Sequence, residues 1–428
     1  MYLIKIAKSK TMGKVLIKNI KSLLQVRESK EATEAIAGNE MKNLPSIENA
    51  WLAIEEGIIV AYGEMKDWPG ITDWRNLEVL DADGCFVFPA FVDSHTHTVF
   101  ADTREEEFVD RIKGLSYQEI AAKGGGILNS AKKLQQMDFD QLYEQAFDRL
   151  NKIMKLGTGA IEIKSGYGLT VDAELKMLRV IKKLKENHPL TIKATFLGAH
   201  AYPAEFKENH QGYIDLIINK MLPAIGEEGL ADYVDAFLET NYFSVNETIK
   251  VLESAAKYGL KPKVHVNQFT SIGGIEACVN AGAISVDHLE IMKEKDIDAL
   301  RNTNTIATIL PSCSFFLSIP YAPARKMIDA GLPVALATDF NPGSTPSYNM
   351  SFVLALASIK NKMTPEEAIN AATLNGAKAM EVESDLGSIT LGKKASLVIT
   401  KPIKNMAYLP YSFGENLIDK VFINGELF

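Results

Sequence analysis

The sequence predicts a parallel (β/α)8 barrel joined to a small β-sandwich domain that both chain termini build. From Phe86 onward, apolar runs alternate with amphipathic helical segments eight times, as parallel strands and their connecting helices do. The segments before and after this region contain short strand patterns and turns instead. Acidic and histidine residues also follow several runs, at the end of the barrel where enzymes of this fold carry their functional groups. We expect the small domain at 1–87 and 385–428 and the barrel at 88–384.

The predicted barrel strands are short and mostly apolar. They are Phe88–Val92, Ala160–Ile163, Ile192–Leu197, Tyr233–Phe237, Lys263–Val266, Ile284–Val286, Ile306–Leu310 and Val334–Ala337. The predicted helices between them repeat apolar residues at helical spacing, and they include Phe139–Leu156, Ala173–Glu186, Tyr213–Ile225, Ser244–Tyr258 and Ile275–Asn280. After the eighth strand, Tyr348–Lys362 and Thr364–Met380 are predicted helices, and the second begins with a threonine–proline cap.

The two terminal segments have the character of strands and turns. Ala50–Ile54 and Ile58–Tyr62 flank a short turn and are expected to pair as a hairpin. Near the other end, Gly387–Thr390, Ser396–Thr400 and Lys420–Phe428 are predicted strands. Because strand patterns stand at both ends, we expect the barrel to be inserted into the small domain.

Composition limits the class of protein. The 428 residues are 46% hydrophobic and 23% charged, which is ordinary for a globular protein, and the net charge of −8 gives no indication of nucleic acid or an anionic membrane as partner. The three cysteines have no paired spacing, which favours reduced thiols in a cytoplasmic protein. We expect no signal peptide and no membrane span, because no apolar run approaches the roughly 20 residues that cross a bilayer.

The segment Asp93-Ser94-His95-Thr96-His97 follows the first predicted barrel strand. In an extended strand alternate side chains share a face, so the two imidazoles can bind one metal ion while Asp93 accepts a hydrogen bond from behind them. For this segment alone, a pair of surface histidines is the alternative. However, five of the seven histidines stand at predicted strand ends: His95, His97, His200, His265 and His288. His188 and His210 lie in helical or loop segments and are expected at the surface.

Three imidazoles and one carboxylate suit a single divalent ion, Zn²⁺ or Fe²⁺. We expect His95, His97 and His265 as the imidazole ligands and Asp339 as the carboxylate. Such an ion would lower the pKa of a bound water, and Asp339 would carry the proton to a leaving nitrogen. His288 would polarise the attacked carbonyl. Taken singly, each histidine is also compatible with a core residue that only packs.

Arg104 follows the predicted metal strand closely and precedes Glu105–Glu107. The run is typical of a solvated charged face, but an arginine at this place can instead bind a substrate carboxylate in a bidentate manner. Gly124–Gly126 lacks the spacing of a phosphate loop, which favours a flexible loop over the barrel mouth. The turn from Asn341 to Ser344 either presents hydrogen-bond donors to a substrate or is only a turn.

These residues resemble the amidohydrolase superfamily and, within it, the imidazolonepropionase family of histidine degradation. The residues that carry the resemblance are the first-strand motif Phe88–His97, the stretch Arg104–Ile127, and the blocks Lys164–Leu169, Gly198–His200, Asp287–Glu290 and Thr338–Ser344. The likeness extends into the terminal segments, at Gly392–Ala395 and Ile423–Gly425. It implies a homodimer.

The resemblance also assigns functional residues. The implied metal ligands are His95, His97, His265 and Asp339, and the implied substrate contacts are Arg104, Tyr167, His200, Gln268, Asn341, Gly343 and Ser344. Ser344 stands where a threonine is usual, which keeps the hydroxyl group. Gln268 stands where the family has a glutamate that binds substrate and shuttles protons, and a glutamine can hydrogen-bond but cannot titrate.

The function implied by the resemblance is hydrolysis of the cyclic amide of 4-imidazolone-5-propanoate to N-formimidoyl-L-glutamate. In this reaction Asp339, His288 and Gln268 would have catalytic roles, and Arg104 would bind the propionate. Two alternatives remain open at this stage. One is another cyclic amide hydrolase or a heterocycle deaminase of the same superfamily. The other is a homologue that binds metal and ligand without turnover, because Gln268 replaces the glutamate.

Overall fold

The computed structural model of the chain describes residues 13–115, 119 and 125–428. The first strands of the described residues are β1 (Lys14–Leu24), β2 (Ser46–Glu55), β3 (Ile58–Glu64), β4 (Leu77–Asp81) and β5 (Phe86–Pro89). The long strand β1 pairs antiparallel with β2, and it pairs in parallel with β4 along its first half and with β5 near its end. β2 and β3 pair antiparallel, which confirms the predicted hairpin.

Eight parallel strands then form the barrel sheet, side by side in chain order. They are β6 (Phe91–Asp93), β7 (Thr158–Lys164), β8 (Thr191–Ala199), β9 (Tyr233–Leu238), β10 (Lys261–Val266), β11 (Ser285–His288), β12 (Ile306–Ile309) and β13 (Val334–Leu336). The segments that follow β6 and β13 join through backbone hydrogen bonds, since His97 N–H donates to the Phe340 carbonyl (2.8 Å) and Asp339 N–H donates to the His95 carbonyl (3.0 Å). The predicted barrel is therefore confirmed.

The C-terminal strands complete the other sheet. They are β14 (Leu397–Thr400), β15 (Ile418–Ile423) and β16 (Glu426–Leu427), and they pair antiparallel in this order, with β14 also antiparallel to β5. Both termini thus contribute to one eight-stranded mixed sheet, which has a hydrophobic cluster of its own, separate from the large cluster around the barrel. Gly387–Thr390, predicted as a strand, contributes only an isolated bridge at Ile389.

The apolar run Phe88–Val92, predicted as the first barrel strand, is divided between two strands. β5 belongs to the terminal sheet, whereas β6 lies beside β7 in the barrel. The chain changes sheet at Ala90, whose N–H donates to the Ser396 carbonyl (2.9 Å). Pro89 therefore ends one strand instead of opening the next. The apolar pattern did not reveal the change because both strands are buried.

The helices pack around the barrel. Within residues 13–115 and 125–428 they are α1 (Glu105–Ile112), α2 (Ile127–Gln136), α3 (Phe139–Lys155), α4 (Val171–Asn187), α5 (His210–Leu216), α6 (Leu222–Glu228), α7 (Val245–Ala256), α8 (Gly274–Asn280), α9 (Glu294–Leu300), α10 (Pro311–Leu317), α11 (Ala324–Asp329), α12 (Met350–Ile359), α13 (Pro365–Ala372), α14 (Leu374–Ala379) and α15 (Tyr408–Tyr411). A π-helical turn, Ile217–Met221, connects α5 to α6. The predicted cap of α13 is present as a reciprocal pair of hydrogen bonds between Thr364 and Glu367. Among the described residues, none of the helices has the length and apolar character that a bilayer span requires.

Candidate active site

The carboxyl ends of the barrel strands bring the four predicted metal ligands into one buried cluster. The Nε2 atom of His265 lies 3.1 Å from Nε2 of His95 and 3.3 Å from Nε2 of His97. Asp339 Oδ1 lies 3.6 Å and 3.5 Å from Nε2 of His95 and His97, respectively. The four side chains are each at most 3% exposed. Their potential ligand atoms therefore face a common point.

Carboxylates hold the outer nitrogens of two of these rings. Asp287 Oδ2 lies 2.7 Å from Nδ1 of His95, and Asp235 Oδ2 lies 2.7 Å from Nδ1 of His265. Because the carboxylates accept, each ring carries its proton on Nδ1 and directs an Nε2 lone pair toward the other ring. Burial lowers the pKa of both imidazoles, that of His265 to about 4, so both rings are neutral near pH 7. Two lone pairs at this separation repel unless a cation lies between them, so the donor set fits a divalent ion.

Asp235 and Asp287 were missed in the sequence analysis, which assigned the supporting role to Asp93. That expectation is wrong, because the Asp93 carboxylate accepts from the Thr338 N–H (2.9 Å) and hydroxyl (2.6 Å) and so joins the ends of β6 and β13. Burial raises the pKa of Asp93 to about 7. A signal for Asp235 was present in the sequence, because it is a carboxylate within the otherwise apolar strand Tyr233–Leu238, and such a group requires a buried partner. Asp287 stands in the mostly polar strand Ser285–His288 and gave no such signal.

Asp339 has its two carboxylate oxygens in different environments. Oδ2 accepts hydrogen bonds from the hydroxyls of Ser344 (3.3 Å) and Thr345 (3.2 Å), which turns Oδ1 toward the imidazoles. Burial alone would raise the pKa of this carboxyl, but the hydrogen bond with His97 and the charge of His288 lower it to about 2. The backbone of Asp339 has φ +56°, a conformation that residues with a side chain adopt mainly where the surroundings enforce it.

His288 lies at the edge of the cluster, with its ring centroid 5.6 Å from that of His95 and 5.2 Å from that of His265. Its Nδ1 faces Glu290 Oε1 at 3.4 Å. Burial disfavours the imidazolium, but the nearby Glu290 carboxylate outweighs burial and raises the pKa of His288 above its ordinary value. His288 also has a left-handed backbone, with φ +88°. The ring is thus held in place as a hydrogen-bond donor.

Arg104 lies at the side of the site with 9% of its side chain exposed. Its Nε donates to Ser130 Oγ (2.8 Å), and its guanidinium lies 5.8 Å from the centre of the Tyr167 ring. Its Nη2 is buried and has no hydrogen-bond partner among the described residues. A buried guanidinium with an unpaired donor fits an anionic group of a ligand. Glu107 does not lie on the solvated face predicted for Glu105–Glu107, because its side chain is 14% exposed and accepts from the Gly126 N–H (2.9 Å).

The turn after Asp339 is shaped by its own side chains. Asn341 Oδ1 accepts from the N–H groups of Gly343 (2.8 Å) and Ser344 (2.7 Å), while its Nδ2 donates to the Asp339 carbonyl (2.7 Å) and Ser344 Oγ (2.7 Å). A Cβ atom on Gly343 would lie 2.4 Å from Nη1 of Arg104. The turn therefore supports Asp339 and leaves space for the guanidinium.

The remaining predicted substrate contacts lie around the same cluster. His200 Nδ1 donates to the Gly166 carbonyl (2.9 Å), and its ring stacks on His97 with centroids 5.4 Å apart. The Tyr167 ring lies 5.4 Å from that of His200. The loop that carries Tyr167 is held by the buried Glu174 carboxylate, which accepts three backbone N–H groups at 2.7–3.0 Å.

Gln268 is buried, and its Nε2 donates to Cys313 Sγ (3.4 Å). The Cys313 sulfur also lies within 4.8 Å of potential ligand atoms of His288 and Glu290. Cys313, which the sequence analysis treated only as a reduced thiol, therefore stands beside the site. All three cysteines are free and buried.

Two other predictions concern residues away from the cluster. His210 is exposed, as expected, but His188 is buried, with 6% of its surface accessible. The His188 ring packs against Phe147 with centroids 5.0 Å apart, and burial lowers its pKa to about 4. The predicted glycine loop is only partly described: Gly124 lies outside the described residues, as do Ser116, Tyr117, Ile120 and Ala121 of the resemblance.

Comparison with known proteins supports the class that the fold and the site indicate. The model of the amidohydrolase family matches residues 86–428. Among solved structures, E. coli guanine deaminase superposes with a TM-score of 0.75 at 16% identity, covering 97% of this chain and 98% of that one. A triazine hydrolase variant superposes with a TM-score of 0.73 at 14% identity, covering 97% and 94%. At such identities these structures show the fold alone. The chain belongs to the amidohydrolase family, and this membership together with the donor cluster supports a metal cofactor.

Closer relatives define the branch of the family. The imidazolonepropionases of Flavobacterium johnsoniae and Flavobacterium psychrophilum are each 60% identical to this chain, over 96% and 97% of its length and 99% and 100% of their own. The imidazolonepropionase of Parabacteroides distasonis is 40% identical over 97% of this chain and 99% of its own. Within the amidohydrolases, the chain belongs to the imidazolonepropionase family, which confirms the resemblance seen in the sequence.

Proposed function

We propose that the chain opens the cyclic amide of 4-imidazolone-5-propanoate to give N-formimidoyl-L-glutamate in histidine degradation. The observation that carries this proposal is the 60% identity to imidazolonepropionases over nearly the whole chain. Membership of that family makes the chain a hydrolase of carbon–nitrogen bonds in cyclic amides. The site fits this reaction because it combines a buried cationic side chain with a cluster of metal donors.

We assign one divalent ion, Zn²⁺ or Fe²⁺, to His95, His97, His265 and Asp339. The support is that His265 Nε2 lies 3.1 and 3.3 Å from Nε2 of His95 and His97, while Asp339 Oδ1 lies 3.6 and 3.5 Å from the same two atoms. When bound, such an ion supplies Lewis-acid activation of water and of the substrate carbonyl. The chain itself holds the rings in the required tautomer through Asp235 and Asp287.

Arg104 binds the substrate propionate in this proposal. Ser130 fixes the plane of the guanidinium, and Nη2, to which no described residue hydrogen-bonds, is available for a carboxylate oxygen. Gly343 leaves the room that the guanidinium occupies. Because the propionate is attached to the ring, its capture at Arg104 determines which ring atom faces the donor cluster.

Proton transfer is assigned to Asp339 and His288. Asp339 is ionised near neutral pH, so it accepts a proton from the attacking water and returns one to the ring nitrogen when the carbon–nitrogen bond breaks. His288 donates a hydrogen bond to the carbonyl oxygen as negative charge develops there. Gln268 binds the ring by hydrogen bonding only. The other assigned substrate contacts are Tyr167, His200, Asn341, Gly343 and Ser344.

The proposal is tested by incubating metal-loaded protein with freshly prepared 4-imidazolone-5-propanoate and measuring N-formimidoyl-L-glutamate by mass spectrometry. We expect turnover by the wild type and a loss of roughly a thousandfold or more in His97→Gln, because a proposed ligand is removed. His188→Gln is the control and should stay active, because His188 is a buried histidine that precedes β8, whereas the donors stand at the carboxyl ends of the strands. Ammonia release without ring opening would indicate a deaminase, and tight binding without product would indicate a non-catalytic homologue.

We also propose that the chain acts as a cytoplasmic homodimer. The three free, buried cysteines are compatible with a reducing compartment. Light scattering after size-exclusion chromatography tests the assembly, since a dimer has twice the 47.1 kDa mass of the chain. A mass near that of one chain at micromolar concentration would contradict it.

A further inference from the structure

Inside the barrel, two lysines and three carboxylates form a fully buried ionic cluster. Lys164, Lys263, Glu162, Asp235 and Asp287 all have side chains with 0% exposure. Buried lysines are rare unless they are paired, because an ammonium group removed from water loses its hydration. Two of the carboxylates, Asp235 and Asp287, are those that hold the rings of two proposed metal ligands.

Lys164 contacts both of these carboxylates. Its Nζ lies 3.0 Å from Asp235 Oδ2 and 3.8 Å from Asp287 Oδ2, and it donates to Glu162 Oε1 at 2.6 Å. The same Oδ2 atoms accept from Nδ1 of His265 and His95, each at 2.7 Å. A single ammonium group therefore bridges two carboxylates that orient two different imidazoles from different strands.

Lys263 is equally buried but differs in its contacts. Its Nζ lies 3.3 Å from Glu162 Oε2 and donates to Ser285 Oγ (2.8 Å) and to the Ala379 carbonyl (2.8 Å). Within the described part of the chain it makes no direct ion pair with Asp235 or Asp287. Asp287 instead accepts from Ser285 Oγ (2.6 Å), a donor that remains if Lys263 is replaced. Both lysines are buried cations, but only Lys164 contacts both carboxylates. A variant of Lys263 therefore controls for the loss of a buried charge alone.

We propose that Lys164 is a positioning residue that couples His95 to His265 by bridging Asp287 and Asp235. It does not touch the ion. It holds the two carboxylates at a fixed separation, and this in turn sets the separation of the two Nε2 atoms that face one cation. Without the bridging ammonium, the carboxylates repel each other and both rings lose a fixed orientation, although no ligand has been changed. The inference rests on the proposed metal site.

The test compares the full-length apoprotein of the wild type, Lys164→Met and Lys263→Met. Zn²⁺ affinity is measured by competition with a chromophoric chelator, and the visible absorption of Co²⁺ reports the geometry of the site. We expect Lys164→Met to bind Zn²⁺ about 10- to 100-fold more weakly, as is typical when a group that supports metal ligands is lost. Lys263→Met should stay within about threefold of the wild type, with an unchanged Co²⁺ spectrum.

Equal Zn²⁺ affinity in Lys164→Met and the wild type, or equal weakening in both lysine variants, would overturn the coupling. Absence of Zn²⁺ binding by the wild type would instead overturn the metal site, so the two failures are distinct. Thermal unfolding of each apoprotein checks that the variants are folded. If Lys164→Met does not fold, Lys164→Gln, which keeps two N–H donors without the charge, takes its place with the same expected weakening.

Discussion

Replacement of Arg104 by methionine tests the assignment of the propionate. Methionine keeps an unbranched chain but removes the guanidinium, whose Nη2 is buried and without a partner among the described residues. A hydrogen bond to a charged group contributes about 1.5–3 kcal/mol, so loss of a bidentate pair removes about 3 kcal/mol or more. Because about 1.4 kcal/mol corresponds to a tenfold change, KM should rise roughly 150-fold. The value of kcat should fall much less, since the donor cluster and Asp339 are intact.

Two controls separate charge from geometry in this prediction. Ser130→Ala removes the 2.8 Å hydrogen bond to Nε but keeps the charge, so we expect a loss of about 1 kcal/mol, or a rise in KM of roughly fivefold. A substrate analogue whose propionate carboxylate is replaced by a carboxamide should have a high KM with the wild type. Its KM with Arg104→Met should be no higher. Both expectations follow from a contact between the Arg104 guanidinium and the substrate carboxylate.

The assay is steady-state kinetics of ring opening at matched metal content, measured for both substrates and all three proteins. If KM of Arg104→Met for the natural substrate stayed within about threefold of the wild type, the anchoring role of Arg104 would be refuted. The role would also be refuted if the ratio of KM between Arg104→Met and the wild type were as large for the carboxamide analogue as for the natural substrate.

Two further predictions concern shape and pH. Gly343→Ala should raise KM about tenfold, because the added Cβ would lie 2.4 Å from Nη1 of Arg104. Gly414 has open space around it, so Gly414→Ala should leave KM unchanged. Equal kinetics of the two variants would contradict the steric reasoning. In His188→Gln the free energy of unfolding should fall less steeply with decreasing pH than it does in the wild type. The pKa of His188 is lowered from 6.5 to about 4, so the unfolded chain takes up a proton that the folded chain refuses, and stability is lost as pH falls from 6.5 toward 4. The wild type should lose up to about 3 kcal/mol more than the variant between pH 7.5 and 4 in urea unfolding, and parallel pH curves would contradict the burial argument.

The sequence was sufficient for those features that depend on local pattern. The alternation of apolar runs and helical segments predicted the barrel, and polar residues at strand ends predicted which side chains would gather there. His95 and His97 are close in the chain, and His265 and Asp339 could be added because parallel barrel strands end at one face.

Features that depend on pairing across the fold were not predictable in the same way. Asp287 supports His95 from 192 residues away, and no local pattern distinguishes it from Asp93, which stands beside the histidines in sequence. His188 lies at the end of a helix with polar residues around it, and only the packing of Phe147 against it shows that it is buried. The change of sheet at Ala90 was hidden because the strands on both sides of it are apolar.

The proposed reaction requires that three imidazoles and one aspartate share a single cation. The most direct measurement is an anomalous difference map from crystals grown with Zn²⁺, with data collected at the zinc absorption edge. We expect one peak at about 2.0–2.1 Å from Nε2 of the three proposed histidine ligands and close to Oδ1 of Asp339. A peak among His288, Glu290 and Cys313, whose potential ligand atoms also lie within 4.8 Å of one another, would contradict it, as would the absence of a peak at the proposed donors.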